Sequence, residues 1–273
     1  MTDDVPAQTV EAVLAGMAAR GVDVAAIRCQ AGLPPEPPTL DTRWPWMVFG
    51  VAWEQCLRQF PSPMTPAEVG LLVPFGAIGM IDYLAGSAET IGGALRSLVA
   101  HIQSVAAQPT ISLVEVKDEV RFGVDVTSMP MGWITEEFTL AMALKSLRYV
   151  AAAPLPILDV CVTRADPAPG ALSATFDAPV RFDRPIGALR FLPAVLSVPL
   201  RTADPQLHRA MDLLPRGEAD AAAMARALGM SERTMHRRLH ERQTSWRAVL
   251  DAFRCEAQRS GSAGDPRRGA TLF

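Results

Sequence analysis

The chain has 273 residues, 49% of them hydrophobic and 20% charged, with a formal net charge of −3. That is material for two domains and a sizeable core, and too apolar a composition for a disordered chain. No apolar run reaches the roughly 18 residues a membrane span needs, and the acidic, polar start MTDDVPAQTV is no signal peptide, so the expected location is cytoplasmic, away from membranes.

From Thr9 to Arg20 the apolar residues Val10, Val13, Leu14 and Met17 form one helical stripe that Gly21 closes. A short helix is expected over Val24 to Gln30. The prolines 34, 35, 37 and 38 then forbid regular hydrogen bonding. Helical spacing returns from Pro45, with Val48, Ala52 and Cys56 about a turn apart; Trp44, Trp46 and Trp53 are read as core or pocket wall, and with Phe49, Phe75 and Tyr83 they suggest an apolar pocket for a mostly apolar small effector. Gly70 to Gly86 is glycine-spaced, with Gly76 and Gly79 following Pro74-Phe75 and allowing close backbone approach, but it lacks the GxGxxG of a dinucleotide site, so close packing of two helices is the better reading. Ser87 or Thr90 should cap a helix running to about His101, with Gly92 and Gly93 softening its start.

The period changes between Thr110 and Val126. Ile111 and Leu113, then Val120, Phe122, Val124 and Val126, alternate about a polar turn at Lys117 to Glu119, which is the pattern of a β-hairpin. Glu136 to Ala152 reads as helix, with Phe138, Met142 and Tyr149 inward. Strands are expected at Ile157–Val162, Val180–Phe182 and Ala188–Phe191. The body is therefore α+β, helices packed on a small mixed sheet, with a boundary near Arg201 to Asp204 and a short helix from Gln206 to Leu214.

Ala219 to Gln243 carries the sharpest local signal. Ala221 to Leu228 is almost pure helix former, Gly229 can take the left-handed backbone that stops a helix, and Ser231 is placed to cap the next one. In that second helix Met235 and Leu239 share a face. The opposite face carries Arg233, Arg237 and His240, flanked by His236 and Arg238. One apolar side to hold the helix down and one cationic side outward is what a DNA recognition helix needs. Charge is distributed accordingly. Residues 1–200 hold 13 Lys/Arg against 20 Asp/Glu, and residues 201–273 hold 13 Arg against 9, an acidic body joined to a basic end.

ALGMSERTMHRRL (residues 227–239) resembles the first helix-turn-helix of AraC-type transcription regulators, and TSWRAVLDAFRCEA (residues 244–257) resembles the linking helix that follows it. Upstream, VGLLVPFGAIGMIDYLAGSAETIGGALRSL and PVRFDRPIGALRFLPAVLSVPLRTADPQL are similar to that family's sensor domain of the arabinose-binding class. The likeness spans roughly residues 10 to 257. It implies an effector-binding sensor over 1–200, an all-α helix-turn-helix domain over 204–257, and a C-terminal truncation that omits the family's second motif. The Gly-, Ser- and Arg-rich residues 258–273 are expected to be a disordered tail.

Enzyme chemistry finds no foothold. No GxSxG elbow or P-loop occurs. His236 and His240 have zinc spacing but lie among arginines that repel a cation. Glu136-Glu137 reads as a solvated helix start, and the four cysteines (Cys29, Cys56, Cys161, Cys255) read as buried thiols. The expectation is a regulator rather than an enzyme, with no cofactor and no metal. Its partners would be double-stranded DNA, an unidentified small-molecule effector and a possible second copy. Arg233, His236 and Arg237 would reach base edges, with Ser231, Thr234 and Arg238 at phosphates or caps. The alternative is an effector-binding or dimerisation module whose DNA binding is weak or lost.

Overall fold

The structure is a computed structural model and describes residues 4–34, 42–59, 66–76, 80–105, 109–129, 131–166, 170–213, 220–227 and 229–241. The chain opens with β1 (Asp4–Pro6), α1 (Ala7–Ala19), α2 (Val24–Ala31), β2 (Arg43–Pro45) and α3 (Trp46–Gln59). On α1 the anticipated stripe is the buried one: Val10, Val13, Leu14 and Met17 are all within 1% of full burial. Asp23 caps α2 by accepting the Ala26 N–H at 3.0 Å. Together with Trp44, Phe49, Ala52, Trp53 and Cys56, these residues form an N-terminal hydrophobic cluster. Trp53 meets Phe49 and Phe138 edge-on at 6.2 and 6.0 Å. The side chain of Trp46 lies outside the described residues.

Three helices, α4 (Pro66–Leu72), α5 (Met80–Gly86) and α6 (Ile91–Val105), lead to the hairpin β3 (Thr110–Val116) and β4 (Glu119–Asp125). The long helix α7 (Gly132–Val150) follows, then β5 (Asp159–Cys161), α8 (Ala171–Phe176), β6 (Val180–Arg181), β7 (Gly187–Phe191) and a 3-10 turn over Pro193–Ser197. The five main strands run in the order β3-β4-β7-β5-β6, antiparallel except for the β5–β6 pair. The expected strand at residues 157–162 is thus real but shorter. Period-2 alternation sorts the sheet's two faces. Val120, Phe122, Leu189, Phe191 and Val160 turn inward against α6 and α7. Outward, Arg190 bridges Asp159 at 2.8 Å and Glu119, and Arg181 joins Asp159 at 2.7 Å.

Helix α7 binds the two halves together. Its Ile134 and Phe138 belong to the N-terminal cluster, while Leu140, Ala141, Leu144 and Leu147 belong to the cluster over the sheet. Helix α4 lies so close to it that a Cβ on Gly70 would stand 2.5 Å from the Phe138 carbonyl oxygen. The close helix approach read at Gly76 and Gly79 is made instead at Gly70; Gly76 lies in a turn at φ +93° against the Tyr83 side chain, and Gly79 lies outside the described residues.

Of the two cap candidates for α6 it is Thr90 that serves, accepting the Gly93 N–H at 3.2 Å. Three local expectations change. Gly92 is a contact point, since its missing Cβ leaves room for the Leu196 carbonyl. Tyr149 is 52% exposed rather than inward, because the chain after residue 150 leaves the helix at that corner. Cys29 is exposed on α2, whereas Cys56 and Cys161 are buried; burial pushes the Cys56 thiol up to about 12. Cys255 lies outside the described residues.

After the sheet, residues 198–204 thread between two helix ends. Val198 and Glu89 carbonyls accept from Ile91 and Leu200, Pro199 and Val150 carbonyls accept from Ala152 and Arg201, and the Ser87 carbonyl accepts from Asp204. Helix α9 (Pro205–Leu213), capped by Asp204, then docks on α5 and α6. His208 reaches the Leu84 carbonyl at 3.0 Å and the Ser87 hydroxyl at 3.3 Å, and His101 meets Asp212 at 3.1 Å. Two short helices follow, α10 (Ala221–Ala227) and α11 (Glu232–Glu241).

Candidate functional site

A cavity of about 120 Å³ lies at the seam of the two hydrophobic clusters. Phe49 and Thr9 close it from the N-terminal helices, Leu95 and Leu98 from α6, and Phe122 from the sheet. Helix α7 supplies its long wall. Thr135, Thr139, Met142 and Ser146 line it at spacings of four, three and four residues, so one face of the helix carries three hydroxyls and a thioether through an otherwise apolar space. Deep apolar cavities of roughly 150 Å³ stay dry and accept benzene-sized guests. Asp82 also faces this cavity, its Oδ2 accepting the Gly76 N–H at 2.9 Å.

An outer chamber adjoins it and shares Phe75, Gly86 and Ser146 with the inner one. Two half-exposed tyrosines frame it. Tyr83 meets the Phe75 ring edge-on at 5.7 Å, and Tyr149 lies tilted on the other side at 5.2 Å. Arg201 donates to the Tyr149 carbonyl at 2.6 Å and sits 5.2 Å from its ring. Lys145 reaches the chamber from α7, its Nζ donating to the Val73 carbonyl at 2.6 Å. Burial lowers the pKa of that ammonium. Thr202 and Leu207 complete the wall, so the connection into α9 is part of this chamber.

The helices after α9 take the local form read from the sequence. Gly229 adopts φ +63° between α10 and α11, a conformation that glycine holds without Cβ strain. Ser231 accepts the Thr234 N–H at 3.2 Å and shares a hydroxyl contact of 2.9 Å with Thr234. Met235 is buried, while Arg233, His236 and Arg237 are exposed. The side chains of Arg238, Leu239 and His240, and the segment resembling the linking helix, lie outside the described residues.

The family model described as the arabinose-binding domain of AraC transcription regulators, N-terminal, matches residues 21–200. The chain belongs to this family. A search among curated proteins finds no match. Among solved structures, the crystal structure of transcriptional regulator CdpR from Pseudomonas aeruginosa is similar, at 18% identity and a TM-score of 0.54. The match covers 89% of this chain and 84% of that one, and at this identity it speaks for the fold. Both cavities fall within the arabinose-binding-type domain apart from the walls given by Thr9 in the inner one and by Thr202 and Leu207 in the outer one.

Inside that domain the sequence reading of Glu136-Glu137 is corrected: neither residue is solvated, and both are 0% exposed. The first turn of α7 is covered by the loop after β5, whose Thr163 N–H donates to Glu136 at 2.8 Å while Arg164 pairs with Glu137. Arg164 in turn lies 4.6 Å over the Trp133 ring. Burial raises both carboxyls, and with Arg164 and Glu136 pulling in opposite directions Glu137 is pushed up to about 7. Each keeps one buried oxygen without a hydrogen-bond partner among the described residues. Of the aromatic residues read as an apolar pocket, Phe49 and Phe75 line the inner cavity and Phe75 and Tyr83 the outer one, whereas Trp44 and Trp53 lie in the N-terminal cluster; the wall given by α7 was not named from the sequence. The signal that would have found that wall is the set of hydroxyls Thr135, Thr139 and Ser146 on α7, which interrupts an apolar face at helical period.

Proposed function

We propose that the chain is a one-component transcription regulator in which the arabinose-binding-type domain holds a small apolar effector and α10–α11 form a helix-turn-helix that reads the DNA major groove. The observation that carries the DNA half is the sidedness of α11. Met235 is buried, Ser231 caps the helix, and Arg233, His236 and Arg237 face outward. An arginine on such a face reaches guanine O6 and N7 with two parallel hydrogen bonds, and a histidine bonds a neighbouring base edge. Ser231, Thr234 and Arg238 fall to backbone contacts or capping, which fix register without reading sequence. The effector half rests on the inner cavity, an apolar space with a few convergent hydroxyls, the usual build of a small-molecule site.

Fluorescence anisotropy against promoter DNA from the neighbouring genomic region tests the reading. Arg237→Ala should cost about 1–3 kcal/mol on the specific site and relax the preference at one base position. Arg238→Ala should weaken specific and non-specific DNA alike. Equal, sequence-independent losses for both substitutions would reduce Arg237 to a phosphate contact. An intact chain with no sequence preference at all would leave the effector-binding module as the surviving reading.

A further inference from the structure

The geometry points to a carboxylate-binding site in the outer chamber, built on Lys145 and Ser146, that takes the head of an amphiphilic monocarboxylate whose apolar body lies in the inner cavity. This rests on the effector reading of the inner cavity and deepens it.

Three observations carry the inference. The two chambers share Phe75, Gly86 and Ser146, so they abut at these residues, and the proposed molecule spans that boundary. The row of hydroxyls on α7 runs from the inner wall toward the outer chamber and ends at Ser146, directly beside Lys145. Charge is divided between the two spaces. The acid Asp82 faces the inner cavity, whereas among the described residues lining the outer chamber the charged side chain is Lys145. An anionic group is therefore repelled at the inner end and attracted at the outer.

Lys145 is held ready for such a partner. One of its three N–H donors is spent on the Val73 carbonyl, which fixes the side chain at the rim and leaves two donors for a carboxylate. Its partial desolvation, already a cost to the ammonium, is offset when an anion binds. The outer chamber brings one lysine and a few hydroxyls rather than an arginine cluster, which suits a single negative charge better than a phosphate. Because Thr202 and Leu207 share the chamber, a bound head group touches the segment that leads into α9.

Isothermal titration of the full chain with octanoate and 1-octanol tests the assignment. Wild type should bind octanoate at least about tenfold more tightly than 1-octanol, the worth of a hydrogen-bonded charge. Lys145→Gln should remove that advantage while leaving 1-octanol within twofold, and Lys145→Arg should keep most of it. In wild type, raised salt should weaken octanoate alone, a readout that needs no variant to fold. If 1-octanol binds and octanoate binds no better, the head-group site is overturned and the apolar effector cavity stands. If neither binds, both are overturned.

Discussion

Glu137 offers a direct measure of how the α7 junction is held. Its carboxyl has no exposed surface and one oxygen without a partner, and burial pushes it from an ordinary 4.5 up to about 7 in the folded chain despite the Arg164 pair. A group whose folded value lies above its unfolded one binds its proton more tightly in the native state. The stability it supplies is complete below pH 4.5, declines as pH rises, and is gone above about 7. At 1.36 kcal/mol per unit the difference amounts to about 3 kcal/mol between those limits. The perturbation is Glu137→Gln, which keeps the shape and an acceptor for Arg164 but cannot ionise. Urea unfolding at several values between pH 5 and 8, followed by tryptophan fluorescence, should show wild type losing stability across this window. The variant should lose less by most of that amount, with the residual slope due to Glu136, whose carboxyl is raised in the same direction. Glu119 and Asp125, both lowered in the fold, act at more acidic pH and leave the window clear. Parallel slopes for the two proteins would refute the reasoning, since the buried carboxyl would then be ionised throughout.

Gly70→Ala drives a Cβ toward backbone on α7 and should destabilise the chain by about 1–3 kcal/mol; an unchanged urea midpoint would deny the tight α4–α7 contact. Ser231→Ala removes the cap of α11 and should cost about 1 kcal/mol of local stability, seen as faster amide exchange in residues 232–236 with the arabinose-binding-type domain unaffected. Ala94→Leu adds volume at the wall of the inner cavity. It should abolish 1-octanol binding while costing less than the roughly 1–3 kcal/mol that overpacking exacts in a filled core, and retained binding would place the ligand elsewhere.

The elements most visible in the sequence are those whose burial is set within one segment. Val10, Val13, Leu14 and Met17 announce α1 through their spacing, and Phe122 and Val124 announce β4 through theirs, because each needs one apolar neighbour face to satisfy it. Glu136 and Glu137 are hidden from such a reading. Their solvation is decided by Thr163 and Arg164, which arrive from 27 residues away and cover the helix start. Gly92 misleads for a similar reason, since the conformational cost read locally belongs to a contact with Leu196 that only the folded chain supplies. The cavity is harder still, because a void is a property of how α1, α3, α6, α7 and the sheet fail to meet. On α11 the local signals sufficed. Glycine, serine and Met235 are enough to specify which way the arginines turn.

The thread formed by residues 198–204 fixes an order of events during synthesis. It supplies the backbone partners for the start of α6 and the end of α7, so the ends of those helices stay open until the chain has been made to Asp204. Domains made at the ribosome generally fold as units, N-terminal part first, and here closure is delayed to the last residues of the sensor. Helices α10 and α11 follow within 37 residues. They therefore emerge after residues 198–204 have become free to close the arabinose-binding-type domain. A nascent chain halted with residues 198–204 still inside the exit tunnel would carry an unzipped domain that a protease can enter, and one halted with them outside would carry a closed one.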